Sequence, residues 1–303
     1  MHQLLNVIKE RIPQNGECAR LFHGRGKKWE GLEHLSIDFF PPTILITTYK
    51  EIESDEKSAL VDLLLSIPEI SFESIVLQKR HLKNDNVEVL KGEMPAEAFA
   101  VEKAEKYSLN LKKPQNTGFF LDMGLGREWL RQHSQNKRVL NLFSYTCSLS
   151  VAAFKGQAQA VANVDMSQPA LNVGEKNHRL NGIEIDGRKT KFFHYDIMKS
   201  LGVISKRGPY DIVIIDPPTN QGLSFKVERD YHKIIRRLPE MVSEDAVIMA
   251  CLNSPYLGSD FLLNAFKEHA PEFIFQEKMY ASFSDMEVNP EEGLKILFFK
   301  RQA

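Results

Sequence analysis

Three aspartates stand just past three short apolar or β-branched runs: Asp165 after AVANV, Asp196 after TKFFHY and Asp216 after DIVII. If each run is a strand of a doubly wound parallel sheet, the three acids gather at the carboxyl ends of the strands, where such sheets bind ligands. One acid so placed is ordinary; three suggest a shared crevice. Asp165 suits the two hydroxyls of a ribose, and Asp196 an adenine amino group. Each also suits the start of a following helix, from whose free N–H groups a carboxylate accepts. For Asp196 the two readings are equally good. Asp216 differs because Pro217 and Pro218 follow it. The prolines fix the backbone and remove two donors, leaving carbonyls to face a planar group. A base turned out of its stack fits there, since a base inside a duplex cannot be reached.

The turn after the run VLNL narrows the cofactor. It reads FSYTCS and leads into an amphipathic segment, so strand, turn, helix, strand and Asp165 follow in order. A dinucleotide fold needs glycines there so that a pyrophosphate can approach bare backbone, but no glycine lies between Asn141 and Lys155. S-adenosylmethionine has a ribose and an adenine and no phosphate. It tolerates a turn built from Ser144, Thr146, Cys147 and Ser148. An oxidoreductase with a dinucleotide is disfavoured by the same absence.

Elements that position these residues alternate through the second part of the chain. Apolar spacing predicts strands over 139–142, 160–164, 190–194, 211–215 and 246–251, with closing strands near 273–281 and 294–299. Helices fall between them over 149–154, 168–180, 225–241 and 260–269, with another ending at Ser205. Such alternation implies an α/β fold with a parallel sheet covered on both faces. Earlier, a short helix stopped by Pro13, a turn-rich stretch around Gly24, Gly26 and Gly31, a strand over 43–49 and a helix over 55–66 capped by Ser54 are expected. A strand over 74–78 and a strand pair within 99–111 complete a small α+β domain. The boundary is placed between residues 113 and 114, giving domains of 1–113 and 114–303.

With 303 residues, 43% of them hydrophobic, the chain can bury a sizeable core. No apolar run approaches the ~20 residues of a membrane span, and the first residues carry charges where a secretory signal would be apolar. A cytoplasmic protein with no membrane partner is expected. The three cysteines are widely spaced, which suits reduced thiols and no metal site. A net charge of −1 leaves nucleic-acid binding to local patches. Arg25, Lys27, Lys28 and Trp29 form one candidate, able to hold a phosphate backbone and stack a base. Lys226, Arg229, Lys233, Arg236 and Arg237 form another, each set reading equally as a solvated face.

The segments TGFFLD, NLFSYTCSLSVAA, NVDMSQPALNVGEKNHRLNG and DIVIIDPPT together resemble the bacterial large-subunit ribosomal RNA methyltransferases that make 5-methylcytosine or 7-methylguanine. The resemblance implies a Rossmann-like class I methyltransferase domain with a seven-stranded, mostly parallel sheet behind a small α+β domain, acting on RNA with S-adenosylmethionine. It implies that Asn141, Phe143, Ser144, Tyr145 and Thr146 line the methionine moiety. Asp165 and Met166 would hold ribose and adenine, Asp196 would meet the adenine, and Asp216, Pro217 and Pro218 would border the reaction centre. Cys147 and Ser148 replace two glycines usual in the family's turn, so a non-catalytic RNA-binding protein with a decayed cofactor site is the alternative.

Cys251 bears on the reaction subtype. Methylating cytosine C5 requires a thiolate that adds to C6, and Cys251 lies at the end of the strand after DPP, about one residue short of the family's nucleophile. One residue along a strand turns a side chain to the opposite face. Without the thiolate, the acceptor would be a nitrogen that already has a lone pair.

Overall fold

A computed structural model describes residues 2–84, 86–112 and 116–302. The boundary expected at 113/114 lies outside the described residues. By contacts, the chain forms two compact units: Met1–Leu121 with Phe283–Val288, and Asp122–Ser282 with Asn289–Ala303.

The first unit opens with α1 (His2–Glu10), whose Leu4 and Ile8, one turn apart, are buried. It continues through β1 (Ala19–His23), β2 (Leu35–Phe40), β3 (Thr43–Thr48), α2 (Ser54–Leu65), β4 (Ser74–Lys79) and β5 (Val87–Lys91). The hairpin β6 (Ala98–Glu102) and β7 (Glu105–Leu109) follows. The five-stranded sheet has the order β1-β2-β3-β4-β5, with only β3 and β4 parallel and α2 between them. All six residues of β2 and of β3 are buried, as central strands require.

Two expectations are corrected here. The stretch 21–40, expected to be turn-rich, is so only in its middle, because β1 and β2 flank the glycines. Asp38 interrupts the apolar signal of β2 yet is buried, held by Arg20 of β1 through two hydrogen bonds of 2.7 and 2.9 Å. Ser54 does not cap α2. It is the first helical residue, Glu53 stands at the cap without a side-chain bond, and Asp55 and Glu56 place negative charge on the first turn.

The second unit runs through α3 (Gly124–His133), β8 (Arg138–Leu142), α4 (Ser148–Lys155), β9 (Ala160–Asp165), α5 (Gln168–Leu180), β10 (Thr190–His194) and α6 (Ile197–Ser205). Then come β11 (Tyr210–Ile215), a small hairpin of β12 (Asn220–Gln221) and β13 (Phe225–Lys226), and α7 (Val227–Ile235). The chain closes with β14 (Val242–Asn253), α8 (Ser259–His269), β15 (Phe273–Tyr280) and β16 (Leu294–Arg301). Its seven-stranded sheet has the order β10-β9-β8-β11-β14-β16-β15, and only β16 runs against the rest. The expected seven-stranded, mostly parallel α/β sheet is present. The helix expected over 225–241 is shorter. Lys226 is extended and α7 ends at Ile235, before a one-turn helix that contains Pro239.

Alternate residues on the central strands build the core. Leu140, Leu142, Val164, Val213, Ile215, Ile248 and Ala250 face α6, α7 and α8, where Leu201, Tyr231, Ile234, Leu262 and Phe266 meet them. The order reverses beside β8: the chain steps outward through β9 and β10, then returns to β11 on the other side. The switch point therefore lies between the carboxyl ends of β8 and β11.

Tyr231 fixes those ends. Its buried hydroxyl lies 3.2 Å from the carbonyl of Ile215 and 3.1 Å from that of Cys251, so one donor bridges β11 and β14 immediately before Asp216. Replacing Tyr231 by Phe leaves both carbonyls without it. A loss of about 1–2 kcal/mol in chemical denaturation is expected, with no change in the slope against denaturant.

Candidate active site

The turn after β8 is backbone under tension. Phe143, Tyr145 and Cys147 have φ of 57°, 46° and 61°, a region costly for residues with a Cβ. Four contacts hold it. Ser144 N–H donates to the Val164 carbonyl (3.1 Å), Cys147 N–H to the Ser144 carbonyl (2.7 Å), and Asn177 Nδ2 to the Thr146 carbonyl (2.9 Å). The fourth is Asp165, whose Oδ2 accepts from Tyr145 N–H at 2.8 Å. Its Oδ1 accepts from Ser167 N–H at 2.7 Å, at the start of α5. Asp165 is 6% exposed, and each of its oxygens keeps a lone pair beyond these bonds. Met166, the next residue, is exposed.

A buried chain of polar groups runs behind the turn. Asn141 Nδ2 donates to Asn163 Oδ1 (3.0 Å), Asn163 Nδ2 to Ser150 Oγ (3.1 Å), and Ser150 Oγ meets His178 Nε2 (2.9 Å). His178 Nδ1 lies 2.7 Å from the Gly174 carbonyl, so it carries the proton and Nε2 accepts. Burial lowers the imidazole pKa to about 4, keeping the ring neutral. The order of donors is thus fixed from α5 back to β8. At its end, the buried Asn141 Oδ1 has no hydrogen-bond partner among the described residues, nor has the buried Ser144 Oγ.

Cys147 faces the other way. A Cβ built on Gly174 of α5 would stand 2.6 Å from Cys147 Sγ, so the thiol packs against that glycine, and burial pushes its pKa up. Ser148 is the first residue of α4. The crowding expected from Cys147 is taken up by the bare backbone of Gly174.

Asp196 caps α6, accepting from Met198 N–H at 3.1 Å, with Lys199 Nζ at 3.4 Å. Asp216 has no hydrogen bond among the described residues. Burial, with the Asp122 carboxylate second, pushes its carboxyl up to about 7. Pro217 is buried and Pro218 exposed. Thr219 Oγ1 donates to the Asn253 carbonyl at 2.7 Å, tying this loop to the end of β14. Asp122 ends the segment TGFFLD, and its field at Asp216 and Cys251 arises only in three dimensions.

Cys251 is fully buried, on the face of β14 opposite Ala250 and Leu252. Burial first, then Asp216 and Asp122, hold the proton on its sulfur. The basic residues after Asp216 are largely engaged. Arg229 and Lys233 reach the buried Asp230 at 2.6 and 2.7 Å, Arg237 reaches Glu240 at 2.9 Å, and Arg236 lies against His269. In the first unit, Trp29 packs against Phe22 with ring centres 4.9 Å apart and planes tilted by 45°, Lys28 Nζ donates to the Asp285 carbonyl, and Arg25 lies over the Tyr49 ring at 4.5 Å.

Residues 19–300 match the model of the S-adenosylmethionine-dependent methyltransferases. The chain belongs to that family. Among curated relatives, ribosomal RNA large subunit methyltransferase I of Aeromonas salmonicida is 30% identical over 195 residues, covering 62% of this chain and 49% of that protein. Ribosomal RNA large subunit methyltransferase K/L of Shewanella loihica is 32% identical over 229 residues, covering 71% and 32%. The chain thus spans half or less of these relatives' length. A solved structure assigned to the S-adenosylmethionine-dependent methyltransferases, from Streptococcus mutans, superposes with a TM-score of 0.84 at 23% identity, covering 99% of this chain and 81% of that one. It shows the same fold.

The residues fit the family's cofactor. Asp165 offers two acceptor oxygens to a ribose diol, and Asn141 Oδ1 is a buried acceptor in want of a donor. The turn carries side chains at its three positive-φ positions, which a pyrophosphate would not tolerate. Because Cys147 and Gly174 share one volume, Gly174→Ala should destabilise the protein by about 1–3 kcal/mol. Adding Cys147→Gly should recover at least about 1 kcal/mol relative to additivity, measured by denaturant titration of both single variants and the double.

Proposed function

We propose that this protein transfers a methyl group from S-adenosylmethionine to a base nitrogen of RNA, with large-subunit ribosomal RNA the substrate that its relatives' names favour. The observation that supports it most is topological. Asp165 after β9, the turn after β8 and Asp216-Pro217-Pro218 after β11 follow three adjacent strands at the switch point. Such a substrate would place the protein in the cytoplasm.

The bound cofactor supplies an electrophilic methyl on a sulfonium. Asp165 would accept from the ribose hydroxyls, Met166 would cover the adenine and Asp196 would meet its amino group. Asn141, Phe143, Ser144, Tyr145 and Thr146 would line the methionine end. Pro217 and Pro218 present a flat, donor-free edge to an extruded base, and Asp216, without a hydrogen bond among the described residues, accepts an N–H from that base and aims the reacting lone pair. Most of the catalytic advantage then comes from holding acceptor and donor in line. Cys251 does not serve as nucleophile in this reading, because its buried thiol keeps its proton; hence nitrogen rather than carbon. Arg25 and Tyr49 in the first unit give RNA a charged, aromatic surface.

Calorimetric titration should show binding of S-adenosylmethionine and its demethylated product that weakens at least about tenfold in Asp165→Ala, since charged hydrogen bonds are lost. Tritium transfer from the cofactor to transcribed ribosomal RNA should persist in Cys251→Ser. No binding by the intact protein would sink the enzyme reading, and loss of transfer in Cys251→Ser would restore the carbon target.

The pH dependence has a definite sign. If the Asp216 carboxylate is the acceptor, kcat/KM rises with pH through about 7, and the rise is absent in Asp216→Asn. Stability runs the other way. A folded-state pKa raised above the unfolded value makes the folded chain bind the extra proton, so this group's contribution is full below about pH 4 and lost as pH climbs through about 7. Asp216→Asn should therefore be more stable than the parent by on the order of 1–2 kcal/mol at pH 8 and indistinguishable from it at pH 4.

A further inference from the structure

Two large apolar side chains stand almost wholly in solvent on the loops that follow β11 and β14. Leu223 is 98% exposed and Tyr256 89%, well above the next, Val288 at 66% in the other unit. Leu223 tips the hairpin that follows Asp216-Pro217-Pro218; Tyr256 is in the loop that follows β14. Strands β11 and β14 are neighbours, so both residues project from the same carboxyl edge.

Neither is a loose end. Phe225, two residues from Leu223, is fully buried and packs on Phe143 of the turn after β8, ring centres 5.0 Å apart. Val227 N–H closes the hairpin onto the Thr219 carbonyl at 3.2 Å. Gly222, with φ of +57° and open space around it, turns the tip outward. The second loop is held at its root by Thr219 Oγ1 on the Asn253 carbonyl and by the buried Lys295, whose Nζ donates to the Ser254 carbonyl at 2.7 Å. Thr219 thus joins the two loops. Residues 219–225 and 251–259 contain no charged side chain, and the exposed Lys226 at the hairpin base, whose backbone N–H donates to Asp230 Oδ2 at 2.8 Å, makes no ion pair through its ammonium among the described residues.

We propose that Leu223 and Tyr256 form a clamp for RNA in which Leu223 enters the base stack beside the target nucleotide and Tyr256 stacks on an unpaired base next to Asp216. This rests on the RNA methyltransferase reading and deepens it. An aliphatic wedge takes the place of a base drawn out of its stack. An aromatic ring receives a base of any sequence on its face. The uncharged rim presents no repulsion to phosphates, and Lys226 is placed to meet one.

The test uses the full chain with transcribed large-subunit ribosomal RNA. Leu223→Ser and Tyr256→Ala should each raise KM for RNA at least about fivefold, the scale of one lost stacking contact. Calorimetric affinity for S-adenosylmethionine should stay within twofold of the parent. Tyr256→Phe should restore KM, since the ring and not the hydroxyl stacks, and Val203→Ser, an exposed position on α6, should match the parent. Emission from Leu223→Trp should be quenched by the RNA. If the intact protein methylates the RNA and both variants match it, the clamp alone is overturned. The same holds if the variants change only self-association in sedimentation, which would make the patch a protein contact. If the intact protein binds the cofactor yet neither methylates the RNA nor shows quenching in Leu223→Trp, the RNA reading falls and the clamp with it.

Discussion

The site depends on one carboxylate. Asp165 receives the N–H of Tyr145 with one oxygen and that of Ser167 with the other, so a single side chain joins the turn after β8 to the start of α5. Without it, Tyr145, the middle of three side-chain-bearing residues held at positive φ, would lose the acceptor of its N–H, while its φ costs on the order of 1–3 kcal/mol. The arrangement does two jobs with the same atoms. The hydrogen bonds to the backbone fix where the oxygens are and leave each a further lone pair. A ribose would meet acceptors already immobilised by folding.

Behind the turn, the chain from Gly174 through His178, Ser150 and Asn163 to Asn141 has only one direction of donation, since the first acceptor is a backbone carbonyl. Each member is satisfied except the last. A buried amide oxygen without a donor is expensive in a finished core. Asp216 has the same character on the other side of the switch point. Burial and Asp122 raise its pKa, and no neighbour accommodates its charge. Two acceptors without a hydrogen bond among the described residues, Asn141 Oδ1 near the end of β8 and Asp216 after β11, flank the place where the strand order reverses.

Much of this was legible in the sequence, for identifiable reasons. Helix α5 begins after Ser167, which caps it, and ends before Asn181-Gly182; β10 is a short β-branched and aromatic run. Both carry local signals and both were placed correctly. Strands β1 and β2 were hidden by the glycine-rich basic turn between them and by Asp38, whose burial depends on an arginine from another strand. Helix α7 is shorter than its apolar and charged spacing suggests because Phe225 and Lys226 pair as a strand before it and Pro239 interrupts the helical run after it. The acids after β9, β10 and β11 could be read from their positions alone. What Asp122 does to Asp216, and what Gly174 does for Cys147, arise between elements and leave no pattern along the chain.

The pair of Cys147 and Gly174 also bears on why the turn survives without the glycines it resembles. A glycine in such a turn supplies freedom at positive φ and vacant volume around the backbone. Here the two services are divided. Freedom is replaced by enforcement, through Asp165, Asn177 and the Ser144 carbonyl, and the vacant volume has moved to α5, where Gly174 leaves room for the thiol. A substitution that looks like decay when read in one segment is therefore balanced in another. The balance directs the Cys147 side chain into the protein and leaves the backbone of the turn in the geometry that its hydrogen bonds impose.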